Sequence, residues 1–414
     1  MSAPNLMETS APEAGKPTVQ DIIGHLPDDI VASAVVRRDG MATTAGPVTE
    51  DAYLRTGSVT KTFTDTIVLQ LVSEHRIALD APARRYVPGV LPVAYDRVTV
   101  RQLLDHTSGL PKPAPTPDPV DGPGWQFHSV TPASLRESFA AATGTPPEPG
   151  TEQQCNGLNA LVLGLIVEKV AHHSYAHALE CRIIRPLGLR HTSLPAADDL
   201  AIPSRHATVF VKGEDVTQQS TYPWAEGGII STTADLDRFS TALFRGRLLP
   251  PAQQALVCNV PKVKSASDNK NCFEGDACYS IGGLMRYKLS EQEVAWGKTG
   301  SRPGWNIGFF ATQDLRHRVV YSLNPKGTGS DLPHIKAIVH AVTRRAPPVY
   351  PRSELSERKS PIEVPRVLDT RIAGQKSASP LKVTMSRIWN VIPLSLQATK
   401  IARRIGIRSA APTG

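Results

Sequence analysis

Apolar residues recur along this chain at two spacings, and the change from one to the other divides it into elements. Ile30 to Val36 is a nearly continuous β-rich run that meets Arg38-Asp39-Gly40, which predicts a strand, a hairpin turn and a short return strand. Just before it, Asp21 to Leu26 reads as a short helix. Val59, Phe63, Ile67 and Leu71 then repeat every four residues, with Val68 and Val72 beside them, so a helix with a buried face is expected from Ser58 onward. Val98 to Gly109 predicts a short amphipathic helix stopped by its glycine, and Pro111 to Gly124 a loop. Leu158 to Val170 predicts a second buried helix, approached through Pro149-Gly150-Thr151, and Tyr175 to Ile184 a third. Gly227-Gly228 reads as a turn feeding a helix capped near Ser231 to Thr233. From Tyr279 the strand pattern returns, in Tyr279 to Tyr287, Glu293 to Thr299, Trp305 to Thr312 and Val319 to Leu323, and an amphipathic helix from Leu332 to Arg344 closes the body. This order predicts an α+β fold: one antiparallel sheet joining the first and last strands, flanked by helices, with a mainly helical lobe inserted.

Composition adds boundaries. With 40% apolar and 20% charged residues in 414, the chain has the make-up of an ordinary soluble globular protein. Residues 1–20 read as a disordered leader, 21–345 as the folded body, 346–385 as a linker and 386–414 as a basic amphipathic tail. From Pro351 onward there are twelve Lys and Arg against four Asp and Glu, which accounts for the whole net charge of +8 and leaves the body neutral. The body therefore carries no general attraction for nucleic acid, whereas the tail suits an anionic membrane surface or an acidic partner. No secretory signal or membrane-spanning stretch is visible, so a cytoplasmic location is expected, with membrane association only through the tail. Among five cysteines, Cys272 and Cys278 could pair locally; in a cytoplasmic protein two free thiols are the expectation.

Candidate chemistry begins at Ser58-Val-Thr-Lys61. A spacing of three puts serine and lysine on one helical face, one turn apart. A serine hydroxyl needs a neighbouring base to act as a nucleophile near neutral pH, and a desolvated lysine can be that base. Its place at a helix start also favours developing negative charge. Downstream, Trp296-Gly297-Lys298-Thr299-Gly300-Ser301 lies on a predicted strand, where Lys298 offers charge to a carboxylate. The backbone N–H groups of Ser58 and Ser301 can then form an oxyanion hole. A phosphate-binding loop is excluded, because the glycine it needs five residues before Gly297 is Gln292.

With Ser-x-x-Lys at a helix start and Lys-Thr-Gly on a strand, the chain resembles the serine β-lactamase and penicillin-binding protein superfamily. Within it, the wording of Arg55 to Thr64, Val98 to Leu110, Arg185 to Leu189, Gly227 to Phe239 and Gly297 to Gly304 is similar to the group of class C β-lactamases, D-alanyl-D-alanine carboxypeptidases, D-aminopeptidases and related esterases. The resemblance implies a β-lactamase/transpeptidase-like fold and an acyl-Ser58 intermediate formed from an amide, ester or thioester of a small or peptide-like substrate, with no metal or organic cofactor. It also implies substrate contacts from Lys298, Thr299 and Gly300. The family's third motif, Tyr-x-Asn, falls on Cys155-Asn156-Gly157, so the proton-relaying tyrosine is replaced by Cys155 and the amide-binding asparagine by glycine. Lys61 acting as sole base, Cys155 as proton carrier, or a catalytically silent binding protein on the same fold are the readings this leaves open. Glu226, just before the Gly227-Gly228 turn, is a candidate cleft residue. His106 is expected to stabilise a loop, and His172, His173 and His177 to face solvent rather than a metal.

Overall fold

The computed structural model describes residues 31–111, 132–140 and 147–325, apart from 268, 270, 271, 273, 274 and 291, together with 338 and 339. The leader, the helix expected at Asp21 to Leu26, the Pro111 to Gly124 loop beyond Pro111, the Leu332 to Arg344 helix apart from Ile338 and Val339, the linker 346–385 and the tail 386–414 lie outside the described residues.

Period-two alternation builds the main sheet. Val31–Arg38 (β1) turns at Asp39 and Gly40, both with positive φ, and returns as Met41–Ala45 (β2). A short strand, Tyr53–Arg55 (β3), leads into a 3-10 turn at Gly57–Val59 and the helix Thr60–Ser73 (α1). Val100–Leu104 (α2), Gly157–Ala171 (α3) and Tyr175–Leu179 (α4) follow. Ile230–Thr232 (β4) runs straight into Thr233–Phe244 (α5), whose first turn is capped by the Thr232 hydroxyl accepting from Asp235 N at 3.2 Å. The chain then returns to the sheet with Met285–Lys288 (β5), Val294–Arg302 (β6), Trp305–Ala311 (β7) and Arg318–Pro325 (β8). The six strands lie in the order β2-β1-β8-β7-β6-β5 with every pairing antiparallel, so the first strand closes on the last, as the element order predicts.

Both faces of this sheet are buried, which is why its central strands are almost wholly apolar. On one face Ala34, Val36, Phe310, Val319, Tyr321 and Leu323 pack with Ile338 and Val339. On the other, Ile307, Phe309 and Val320 meet α1 and α5, where Phe63 stacks on Phe239 at 3.7 Å and Phe239 and Phe309 meet in a T-shaped pair. Helix α1 is therefore buried nearly all round, not along one face only. Its polar side is threonine-rich, and the hydroxyls are absorbed locally: Thr66 donates to Thr62 O at 2.7 Å and Thr62 to Gly283 O at 3.1 Å.

Three local expectations are corrected. Helix α2 ends at Leu104, two residues before His106 takes φ +60°, so Gly109 is not what stops it. The strand expected over Tyr279 to Tyr287 is paired continuously only over Met285–Lys288, with Gly282 and Gly283 making the turn before it. Cys272 and Cys278 form a disulfide instead of standing as free thiols.

Candidate active site

Three segments distant in the chain meet at the start of α1. Ser58 lies in the 3-10 turn and is half-buried. Lys61, in the first turn of α1, donates from Nζ to Ser58 Oγ at 2.8 Å and is only 2% exposed. The Ser-x-x-Lys spacing thus produces the hydrogen-bonded pair it predicts. Gly57 makes this approach possible: its φ is +50°, and a Cβ there would stand 2.6 Å from Ser301 N. Across the junction Gly300 plays the matching part, since a Cβ on it would lie 2.0 Å from Thr56 O and 3.1 Å from Ser58 N. The 3-10 turn and β6 therefore touch backbone to backbone, which brings the main chain of Ser301 beside that of Ser58.

Along β6 the side chains alternate. Thr299 and Ser301 reach the accessible side, while Lys298 is buried and 2% exposed. Its Nζ donates to Thr299 O at 2.7 Å and stands 5.6 Å from the centre of the Tyr279 ring. Burial pulls the lysine down to about 8; Cys155 opposes that shift, Lys61 adds to it, and Asp65 and Glu226 oppose it.

Glu226 ends a one-turn 3-10 helix, Trp224–Glu226. That turn is pinned from two sides: Thr64 donates to Ala225 O at 2.7 Å, and Tyr175 packs edge-on against Trp224. The carboxylate accepts from Lys61 Nζ at 3.0 Å, so Ser58, Lys61 and Glu226 form one continuous chain of hydrogen bonds. Cys155 is a half-buried free thiol packed against Cys278, Tyr279 and Met285. Among the described residues it makes no hydrogen bond to Ser58 or Lys61. Asn156 is occupied structurally: its Oδ1 caps α3 by accepting from Leu158 N at 2.9 Å, while Nδ2 donates to Leu110 O and Pro111 O at 2.8 Å.

Two supporting residues escaped the sequence reading. The buried Gln153 carboxamide donates to Asp105 O and Tyr279 O and accepts from Cys278 N and Tyr279 N, at 2.7–2.9 Å, clamping the disulfide segment against the stretch that carries Cys155. Tyr279 supplies the ring beneath Lys298. Neither is marked by a local pattern: Gln153 acts through contacts more than forty residues away in the chain, and Tyr279 meets Lys298 from a different segment. His106 does hold a loop, with Nδ1 accepting from Asn156 N at 3.3 Å and from Asn159 Nδ2 at 3.0 Å. His172, His173 and His177 are exposed.

A cavity of about 610 Å³ lies elsewhere, lined by Gln70, Arg182, Asp237, Arg238, Arg245 and Arg318 among others. Most of its cations are already engaged: Arg182 pairs with Glu74 at 2.6 Å, Arg318 with Asp237 at 2.9 Å, and Arg238 donates to Gly188 O at 3.0 Å. It contains none of the groups assembled around Ser58.

The chain is similar to several known proteins. Protein flp of Staphylococcus aureus (strain MW2) is 29% identical over 140 residues, 33% of this chain and 27% of that protein. Esterase EstB of Burkholderia gladioli is 30% identical over 182 residues, 41% of this chain and 44% of that protein, so the chain spans under half the length of either relative. Among solved structures, a D-stereospecific amidohydrolase from Streptomyces sp. is 32% identical, covers 77% of this chain and 97% of its own, and superposes with a TM-score of 0.68. The D-amino acid amidase from Ochrobactrum anthropi SV3 shares the fold at 23% identity, covering 78% of this chain and 97% of its own, with a TM-score of 0.64. Residues 19–343 match the Beta-lactamase family, and the chain belongs to that family.

Proposed function

We propose that this protein is a serine hydrolase or acyltransferase in which Ser58 takes the acyl group of an amide, ester or thioester. One observation carries the reading: the hydroxyl of a half-buried serine is held 2.8 Å from the amine of a lysine that is itself sequestered from water. Lys61 removes the serine proton as Oγ attacks the carbonyl carbon. The N–H groups of Ser58 and Ser301 receive the oxyanion, a role supported by the backbone contact at Gly57 and Gly300. Water or another nucleophile then releases the acyl group. Lys298, Thr299 and Gly300 form the wall along which the substrate lies, with Thr299 on the accessible side. Amides of amino acids are the substrate class we favour, because a D-stereospecific amidohydrolase is 32% identical to this chain and covers 77% of it.

Cys155 stands in this proposal at the position of the family's tyrosine, but as a packing residue. Its surroundings are Cys278, Tyr279 and Met285, and its thiol lacks a hydrogen bond to the reacting serine among the described residues. Intact mass after exposure to a fluorophosphonate tests the whole reading. The wild type should gain one adduct and Ser58→Ala none. Lys61→Ala should abolish turnover of a p-nitroanilide or ester, and Cys155→Ala should keep most of it. A wild type that forms no adduct with any serine-directed probe makes the protein a binding protein on a hydrolase fold. A Cys155→Ala variant as damaged as Lys61→Ala returns the thiol to the chemistry.

A further inference from the structure

Gly157 and Glu226 are 69 positions apart and occupy one volume. A Cβ built on Gly157 would stand 2.1 Å from Glu226 Oε1 and 2.3 Å from its Cδ, so the carboxylate fills the space that any side chain at 157 would need. Glu226 is held there by a turn whose carbonyl at Ala225 is bonded from α1, and α1 also carries Lys61. Lys61 is 2% exposed, whereas the Glu226 side chain is 22% exposed, so this end of the hydrogen-bond chain borders the open cleft.

We infer that Glu226 is the proton-relay partner of Lys61, and that the glycine at 157 exists to admit it. The inference rests on the acyl-serine reading and adds a third member to it. With Lys61 as ammonium and Glu226 as carboxylate, one proton moves from Lys61 Nζ to Glu226 Oε1, leaving a neutral amine beside Ser58. That amine takes the Ser58 proton as Oγ bonds to the acyl carbon and the carbonyl π pair moves onto oxygen. On collapse of the adduct the bond to the leaving group breaks, and the leaving group departs with its electron pair and a proton from Lys61. The proton parked on Glu226 then returns to Lys61, so the net transfer is from Ser58 to the leaving group. Deacylation repeats the sequence with water as the proton source and Ser58 as the leaving group. An ion pair whose cation is buried suits this exchange, because the charged form of such a pair is less favoured over the neutral one than it is in water.

Other ionisable groups surround the pair. Asp65 lies one turn beyond Lys61 on α1, Lys298 and Arg302 come from β6, Tyr222 precedes the turn, and Cys155 lies near Lys298. The test therefore compares variants that leave all of these in place. Glu226→Gln keeps the size of the side chain and an acceptor for Lys61 but cannot hold the proton. Its rate constant for phosphonylation of Ser58 by a fluorophosphonate, with loss of fluoride, should fall about 100-fold near neutral pH. The loss should shrink as pH rises, so that the acid limb of the profile moves to higher pH. Gly157→Ala is the second variant; it displaces the carboxylate without removing it. It should slow acylation in the wild-type background and add little in a Glu226→Ala background. A Glu226→Gln protein that reacts as fast as the wild type overturns the relay, as does one slowed equally at every pH. So does additivity of Gly157→Ala with Glu226→Ala. If the wild type itself forms no adduct, the acyl-serine reading falls and the relay falls with it; a reactive wild type beside an equally reactive Glu226→Gln removes the relay alone.

Discussion

Lys298 is the residue whose environment departs furthest from what its motif suggests. A lysine offered to a substrate carboxylate would be expected at the surface of the cleft, yet this one is buried against Tyr279 and bonded to the carbonyl next to it. Burial lowers it to about 8, with Cys155, Asp65 and Glu226 acting against that shift and Lys61 with it. Its charge is present below that pH and fades above it. A substrate bearing a carboxylate should therefore show KM rising as pH passes about 8, while KM for a neutral ester stays level. Measuring both across that range checks the role; parallel profiles would mean that Lys298 does not meet the substrate's charge. Stability moves the other way. The folded value lies below that of an unfolded lysine, so between them the unfolded chain holds the extra proton, and this group's contribution to stability improves as pH rises through that window. At this scale Ser58, Lys61, Lys298 and Gly300 were legible, because each pair sits within one turn or one strand and spacing alone aligns them. The meeting of Glu226 with Gly157 was not, since a contact between a loop and the start of a distant helix leaves no local period to read.

Among the elements, the junction of β6 with the 3-10 turn sets the geometry on which everything else depends. Its tolerance is small: the carbonyl of Thr56 already fills the space that a Cβ on Gly300 would occupy. Gly300→Ala should push β6 away from the turn, separate the two backbone donors and reduce acylation by at least 100-fold, the usual scale for losing one oxyanion donor. Because the displaced atoms are backbone, a lower melting temperature should accompany the loss. Single-turnover acylation together with thermal unfolding checks it, and an active Gly300→Ala protein would show that the donors lie elsewhere. The long elements were readable for a physical reason. β1, β6, β7 and β8 run for seven to nine residues, and α1 and α3 for 14 and 15, long enough for a period to establish itself. β3 and β4 have three residues each, too few to show alternation, and β4 was hidden inside what reads as turn and helix cap.

In the described body as a whole, the helices of the insertion are joined through buried polar residues, and these bear on its response to acid. His106 takes φ +60° at the end of α2 and accepts from Asn156 and Asn159 at the start of α3. Burial, reinforced by the charges of Lys61 and Lys298, lowers it to about 3, so the folded protein keeps the imidazole neutral where the unfolded chain protonates it. The stability it supports is complete above about 6.5 and is lost as pH falls towards 3. Asp65 and Asp105 oppose this trend. Burial raises both, though Lys61 and Lys298 pull Asp65 down and Thr107 and Arg101 pull Asp105 down. Each therefore costs stability when ionised, and that cost is relieved on acidification. His106→Asn separates the two contributions, because asparagine tolerates a left-handed backbone and its Oδ1 can accept as Nδ1 does, but it cannot be protonated. Urea unfolding of both proteins near pH 7 and pH 4 should show the wild type losing on the order of a few kcal/mol more than the variant over that interval. Equal losses would place the acid sensitivity in ion-paired carboxylates whose values are lowered in the fold, such as Glu74 with Arg182 and Asp80 with Arg101, and make His106 a packing residue only. A variant that gains stability at pH 4 relative to the wild type identifies a single buried imidazole as the acid-labile link between α2 and α3.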